Sequence, residues 1–141
     1  MKRFLEDTDA TEQFGRELWT QLPPKCLVFL HGDLGAGKTT LVRGFLRAAG
    51  HVGAVKSPTY NLVEEYQVHD RKILHFDLYR VADPEELEWI GIRDYLAQDC
   101  VCFIEWSSLG QGFLPEPDVE IFLSIQGEGR ELLIKQNLKT L

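Results

Sequence analysis

Residues 26–49 read CLVFLHGDLGAGKTTLVRGFLRAA. An apolar run is followed by a glycine-rich break and then by a segment in which Leu41, Val42, Phe45 and Leu46 recur with helical spacing. The break, Gly32-Asp33-Leu34-Gly35-Ala36-Gly37-Lys38-Thr39, fills G-x-x-x-x-G-K-[ST] at every specified position, and Thr40 follows it. Glycines let successive backbone N–H groups turn inward around a phosphate, and the helix N-terminus adds partial positive charge. Lys38 is expected to reach the β- and γ-phosphates of a nucleotide, and the Thr39 hydroxyl to ligate Mg²⁺. The stretch is not the dinucleotide fingerprint G-x-G-x-x-G, because counting from Gly35 the last position is Thr40. The preceding strand, Cys26 to His31, is apolar on both faces, as in a sheet covered by helices on two sides. The expected fold is therefore α/β, a P-loop NTPase three-layer sandwich.

Outward from the loop, the rest of the chain reads as a short list of elements. Lys2 to Glu6 is a candidate strand, and Asp9 followed by Glu12 gives a capping-box-like helix start. Phe14, Leu18 and Leu22 form one stripe of that helix, which stops at Pro23-Pro24. Gly50 is expected to end the helix after the loop. YNLVEEYQV and KILHFDL, joined by His69-Asp70-Arg71, predict an antiparallel pair where a doubly wound fold would carry a helix, so the sheet should be mixed. Asp83-Pro84 predicts a helix start, Gly91 a break before a second short helix over Arg93 to Gln98, and Val101 to Trp106 another strand. Residues 107–118 carry the Gly and Pro of a loop, and VEIFLSIQ, GEGR, ELLIKQ reads as a closing hairpin.

At 141 residues and 16.2 kDa, with 44% hydrophobic residues, the chain is expected to form a single nucleotide-binding domain over residues 1–141. A net charge of -7 argues against autonomous gripping of a nucleic-acid backbone, which needs clustered Lys and Arg. Cys26, Cys100 and Cys102 lie in apolar runs without C-x-x-C spacing and read as buried free thiols. No stretch approaches the roughly 20 apolar residues of a membrane span, and a soluble, cytoplasmic protein is expected.

A phosphate loop needs a carboxylate to hold its metal, and two apolar runs end in an acid: ILHFD at Asp77 and VCFIE at Glu105. On neighbouring strands the two can divide the work, one coordinating Mg²⁺ directly, the other acting through water or as base to the attacking water. Ser57-Pro58-Thr59 offers hydroxyls at a position to sense a γ-phosphate, with the proline stiffening Ser57. Arg80 can neutralise transition-state charge or form a surface ion pair. His75 alternates with Asp77 and shares its strand face; a lone histidine there reads first as a packing residue, and Trp106 likewise.

GDLGAGKTT, then SPTY, then HFDLYR, then IEW, in this order and in so small a chain, resembles the bacterial TsaE (formerly YjeE) family, ATPases of tRNA threonylcarbamoyladenosine biosynthesis. The resemblance covers nearly the whole chain. It implies a P-loop fold that binds and hydrolyses ATP with Mg²⁺ and acts on a complex of TsaB and TsaD, meeting tRNA only through that complex. It also implies nucleotide contacts from Gly32 to Thr40, metal-associated roles for Thr39 and Glu105, a switch-like segment at Ser57 and Thr59, and an Asp-x-Tyr-Arg element at Asp77, Tyr79 and Arg80. The chain departs from the family after Glu105-Trp106, where Ser107-Ser108 stand in place of the family's frequent proline and acid.

Two other readings compete on the residues. A small-molecule kinase needs an arginine-bearing lid, yet after Glu105 the first arginine is Arg130. A non-catalytic nucleotide switch remains open, but no Asn-Lys-x-Asp for reading guanine occurs, which favours adenine.

Overall fold

The computed structural model describes residues 1–58 and 61–136. Its centre is a seven-stranded sheet in the order β1-β7-β6-β2-β5-β4-β3. The strands are β1 (Lys2–Leu5), β2 (Cys26–His31), β3 (Val63–Val68), β4 (Arg71–Asp77), β5 (Cys100–Glu105), β6 (Val119–Gln126) and β7 (Gly129–Gln136). The four inner strands β6, β2, β5 and β4 run parallel, and antiparallel partners flank them on both sides: β3 beside β4, β7 and then β1 beside β6. The sheet is mixed because β3 and β7 are hairpin arms, as the two polar turns in the sequence require, and β1 then adds antiparallel to β7.

The helices are α1 (Thr8–Gln21), α2 (Lys38–Ala49), α3 (Glu86–Ile90) and α4 (Ile92–Leu96). Alternation along the strands sorts side chains to two faces. Val28, Leu30, Val101, Phe103 and Ile73 pack with Phe14, Leu18, Leu41 and Phe45 of α1 and α2. Cys102, Ile104, Leu74 and Phe76 face the other way, against Leu87 and Ile92 of α3 and α4 and partly buried residues of the 106–118 segment. Edge-to-face rings tie the first layer together, Trp19 on Phe45 at 5.4 Å and Phe45 on Phe103 at 5.1 Å between centroids.

α1 and α2 touch backbone to backbone. A Cβ on Gly15 would lie 2.0 Å from the Leu41 carbonyl oxygen, and one on Gly44 would lie 1.9 Å from that of Glu12. Each helix thus offers its glycine to the other's backbone, which holds the helix of the phosphate loop tightly against α1.

Several local expectations shift. Helix α1 is capped by Asp7, whose carboxylate accepts from the Ala10 N–H at 2.8 Å, not by Asp9. Both aspartates suit an N-cap; the earlier one gains the helix an extra half-turn. Before α3, Asp83 accepts from the Glu85 N–H and Glu86 returns to the Asp83 N–H, so the capping box forms although the regular helix begins only at Glu86. α4 spans Ile92–Leu96 rather than Arg93 to Gln98, and Gly91 (φ 80°) ends one helix and starts the other. The closing hairpin turns on two residues, Gly127 and Glu128, so β7 begins inside the GEGR stretch.

The link from β5 to β6 passes across β2 without an α-helix, through a 3-10 turn at Ser107–Gly110. Its far end is fixed by reciprocal bonds: the Leu27 N–H donates to the Asp118 carboxylate and the Asp118 N–H to the Leu27 carbonyl, both 2.8 Å.

Candidate active site

The loop Gly32–Gly37 leaves the C-terminal end of β2 and feeds α2. Gly35 and Gly37 hold φ of 81° and 106°, the left-handed region that an L side chain disfavours, which is what bends the backbone around a phosphate-sized space. The N-cap of α2 is Gly37, which has no side chain to cap the first-turn N–H groups and leaves them open to a ligand or water. Asp33 and Leu34 are exposed, and Ala36 is buried with its N–H donating to the Asp33 carbonyl at 3.0 Å.

Lys38, only 5% exposed, donates to the Gly32 carbonyl at 2.6 Å and lies 3.5 Å from Glu105 Oε1. Its ammonium also stands over the Trp106 ring, 4.6 Å from the centroid. The loop lysine is therefore aligned by three groups at the mouth of the loop.

The two strand-end acids are brought together as expected. Asp77 and Glu105 are register partners at the C-terminal ends of adjacent parallel strands, and both are buried. They share the α1/α2 face with Ile73, Val101 and Phe103, so they point toward the loop helix. Asp77 Oδ1 accepts from the Tyr79 N–H at 2.9 Å. Glu105 is held by both oxygens, Oε1 near Lys38 and Oε2 2.5 Å from His75 Nε2. A cavity of about 260 Å³ is lined by Gly37, Lys38, Thr39, Ser57, Asp77 and Glu105, with Leu34, Gly35 and Thr40 completing its described rim.

Arg80 is exposed and stands outside the described lining of that cavity, and Tyr79 is half exposed and tilted against Trp106 at 5.1 Å. Thr59 lies outside the described residues. Trp106 takes a left-handed backbone (φ 58°) directly after Glu105, a strained conformation for an aromatic residue.

Three features escaped the sequence reading. His75 was read first as packing, yet it bonds Glu105. Arg130, read only as too isolated for a lid, donates from Nε to the Ala36 carbonyl and from Nη2 to that of Gly35, both 3.1 Å, and so grips the loop from the opposite side. The signal was a lone arginine ending a Gly-Glu-Gly turn, but its target is 94 residues away along the chain. Third, a cavity of about 110 Å³ adjoins the first through Gly35, Gly37 and Thr40 and is walled by Asp7, Thr11 and Arg130.

The sequence model described as "Threonylcarbamoyl adenosine biosynthesis protein TsaE" matches residues 5–132. The chain is similar to the tRNA threonylcarbamoyladenosine biosynthesis protein TsaE of Haemophilus influenzae, 58% identical and covering 98% of this chain and 92% of the relative. It is also similar to the protein of that name from Bacillus subtilis, 36% identical over 74% of this chain and 65% of the relative. Among solved structures, the crystal structure of Bacillus subtilis YdiB superposes with a TM-score of 0.79 at 26% identity, over 94% of this chain and 82% of that one.

Proposed function

Because this chain belongs to the TsaE family of threonylcarbamoyladenosine biosynthesis proteins, we propose that it is a Mg²⁺-dependent ATPase whose turnover resets partner proteins of the TsaB and TsaD type. The observation that carries the reading is the convergence of Lys38, Thr39, Ser57, Asp77 and Glu105 on one cavity at the mouth of the loop. The loop and α2 N–H groups take the phosphates, and Lys38 offers its charge to the β- and γ-oxygens. The adjoining space between Arg130 and Asp7 is left for the nucleoside.

The donors suit magnesium. Thr39, Asp77 and Glu105 present hard oxygens, and two carboxylates with a hydroxyl match an ion that draws its remaining ligands from phosphate and water. Bound there, the ion would neutralise charge developing on the phosphates. The chain's own part is to hold the nucleotide, exclude bulk water behind buried Lys38 and Glu105, and give the attacking water a carboxylate to lose its proton to. Arg130, the first arginine after Glu105, is committed to the loop carbonyls, which disfavours a kinase lid built from that segment.

The test is ATP hydrolysis by the protein alone and with TsaB, TsaD and tRNA. Expected is slow release of phosphate alone and a rise with partners. Glu105→Ala should lower the partnered rate on the order of 100-fold or more, in the range of a lost general base, while Mg²⁺-free nucleotide binding persists. Undiminished turnover by Glu105→Ala would remove that residue from the mechanism, and indifference to the partners would end the partner half of the proposal.

A further inference from the structure

His75 lies on β4, fully buried, in a layer otherwise built from Ile73, Val101, Phe103 and Phe45. In the register it faces Phe103, one pleat behind the Asp77–Glu105 pair. A hydrophobic residue would fill that place without cost, whereas an imidazole gives up its hydration. What it gains among the described residues is one hydrogen bond, Nε2 to Glu105 Oε2 at 2.5 Å. Its other nitrogen, Nδ1, is buried without a partner among the described residues.

These two observations assign the direction of the bond. The Glu105 oxygen is the acceptor of the pair, which assigns the hydrogen to Nε2. A hydrogen on Nδ1 would leave a buried donor unsatisfied, at a cost of about 1–3 kcal/mol. A hydrogen on Nε2 makes the bond to Glu105, and a lone pair on Nδ1 leaves an acceptor there in place of a buried donor without a partner.

We propose that His75 is a positioning residue: its Nε2–H pins Oε2 of Glu105 and so turns Oε1 toward Lys38 and the cavity, making Glu105 a one-oxygen ligand or base. The backing of a ligating carboxylate by a fixed donor is the kind of outer-shell contact whose loss typically costs 10- to 100-fold in metal affinity or activity. Oε1, 3.5 Å from Lys38 Nζ, is already the oxygen on the loop side. His75 touches neither nucleotide nor metal here; it acts through Glu105.

The inference rests on the Mg²⁺–nucleotide reading of the cavity, and the experiment separates the two. Mn²⁺ uptake in the presence of ADP, followed by electron paramagnetic resonance, is compared with ADP binding in EDTA for the full chain and for His75→Leu, His75→Asn and His75→Gln. Expected for His75→Leu and His75→Asn is Mn²⁺ affinity lowered about 10- to 100-fold, with Mg²⁺-free ADP affinity within about twofold. Gln can place its amide N–H where Nε2 stands and should recover most of the loss; Asn, shorter, should not. If His75→Leu does not fold, the Asn and Gln pair carries the comparison. Mn²⁺ affinity unmoved in both Leu and Asn variants, or equally weak in Asn and Gln, would reduce His75 to packing and overturn the inference alone. Wild-type protein that takes up no Mn²⁺ with ADP would overturn the magnesium reading and this inference with it.

Discussion

Two buried side-chain polar atoms lack partners among the described residues, His75 Nδ1 and Trp106 Nε1. Both belong to side chains touching the Lys38–Glu105 pair. Buried polar groups are nearly always satisfied, and exceptions cluster where function sets the geometry. Lys38 is the hub: it holds the Gly32 carbonyl, approaches Glu105 and caps the Trp106 ring. Lys38→Ala removes the charge offered to phosphate and the cation beside a buried carboxylate. A hydrogen bond to a charged group contributes about 1.5–3 kcal/mol, so ADP affinity should fall on the order of 10- to 100-fold. Calorimetric titration with Mg²⁺ and ADP reads this directly. Affinity within twofold of wild type would mean that Lys38 serves the fold and not the ligand.

At the scale of elements, the loop is only as rigid as the helix behind it, and α2 is held by α1 through Gly15 and Gly44. In Gly44→Ala the new methyl would meet the Glu12 carbonyl 1.9 Å away, and a backbone oxygen cannot step aside as a flexible side chain can. The helices must part, at about 1–3 kcal/mol or more for overpacking. The urea midpoint should drop, and ADP affinity with it, because Thr11 of α1 lies against Gly37 where α2 begins. A fall in stability with unchanged ADP affinity would uncouple α1 from the loop. These helices also mark what a sequence can show. The stripe Phe14, Leu18, Leu22 and the set Leu41, Val42, Phe45, Leu46 were legible because a helix repeats its buried face within a few residues. The phosphate loop was legible because its chemistry is written in one local string. Asp77 and Glu105 were legible because an apolar run ending in an acid marks where a buried strand emerges. The His75–Glu105 bond was not, since it depends on register between strands 30 residues apart. Nor was the grip of Arg130, since nothing local says that β7 returns beside the loop.

Across the whole molecule, chemistry and cysteines sit at opposite ends of the sheet. The loop and both acids lie at the C-terminal ends of β2, β4 and β5, where parallel sheets bind ligands. Cys26 and Cys100 open β2 and β5 at the other end, and Cys102 follows inside β5. All three are buried free thiols. Burial, and then the Asp118 carboxylate, push Cys26 from its ordinary 9.0 up to about 12. Burial also raises Cys100, against partial opposition from Lys72, and holds Cys102 well above the usual thiol range. The sign follows from linkage. Above about pH 9 the unfolded chain releases these thiol protons while the folded chain keeps them, so the unfolded state gains and stability falls with rising pH. The loss begins near the unfolded value of 9.0 and continues toward about 12, where Cys26 ionises in the folded protein as well. Urea midpoints measured from pH 8 to 11 should be level at first and then descend, and Cys26→Ala should descend less steeply, because one of the three protons is no longer at stake. The same separation predicts that a thiol reagent at pH 8 reacts slowly with the folded chain and no faster when Mg²⁺ and ADP are removed. Rapid labelling at that pH, or a midpoint for Cys26→Ala that falls in parallel with wild type, would show that the base of the sheet opens independently of the thiols' burial.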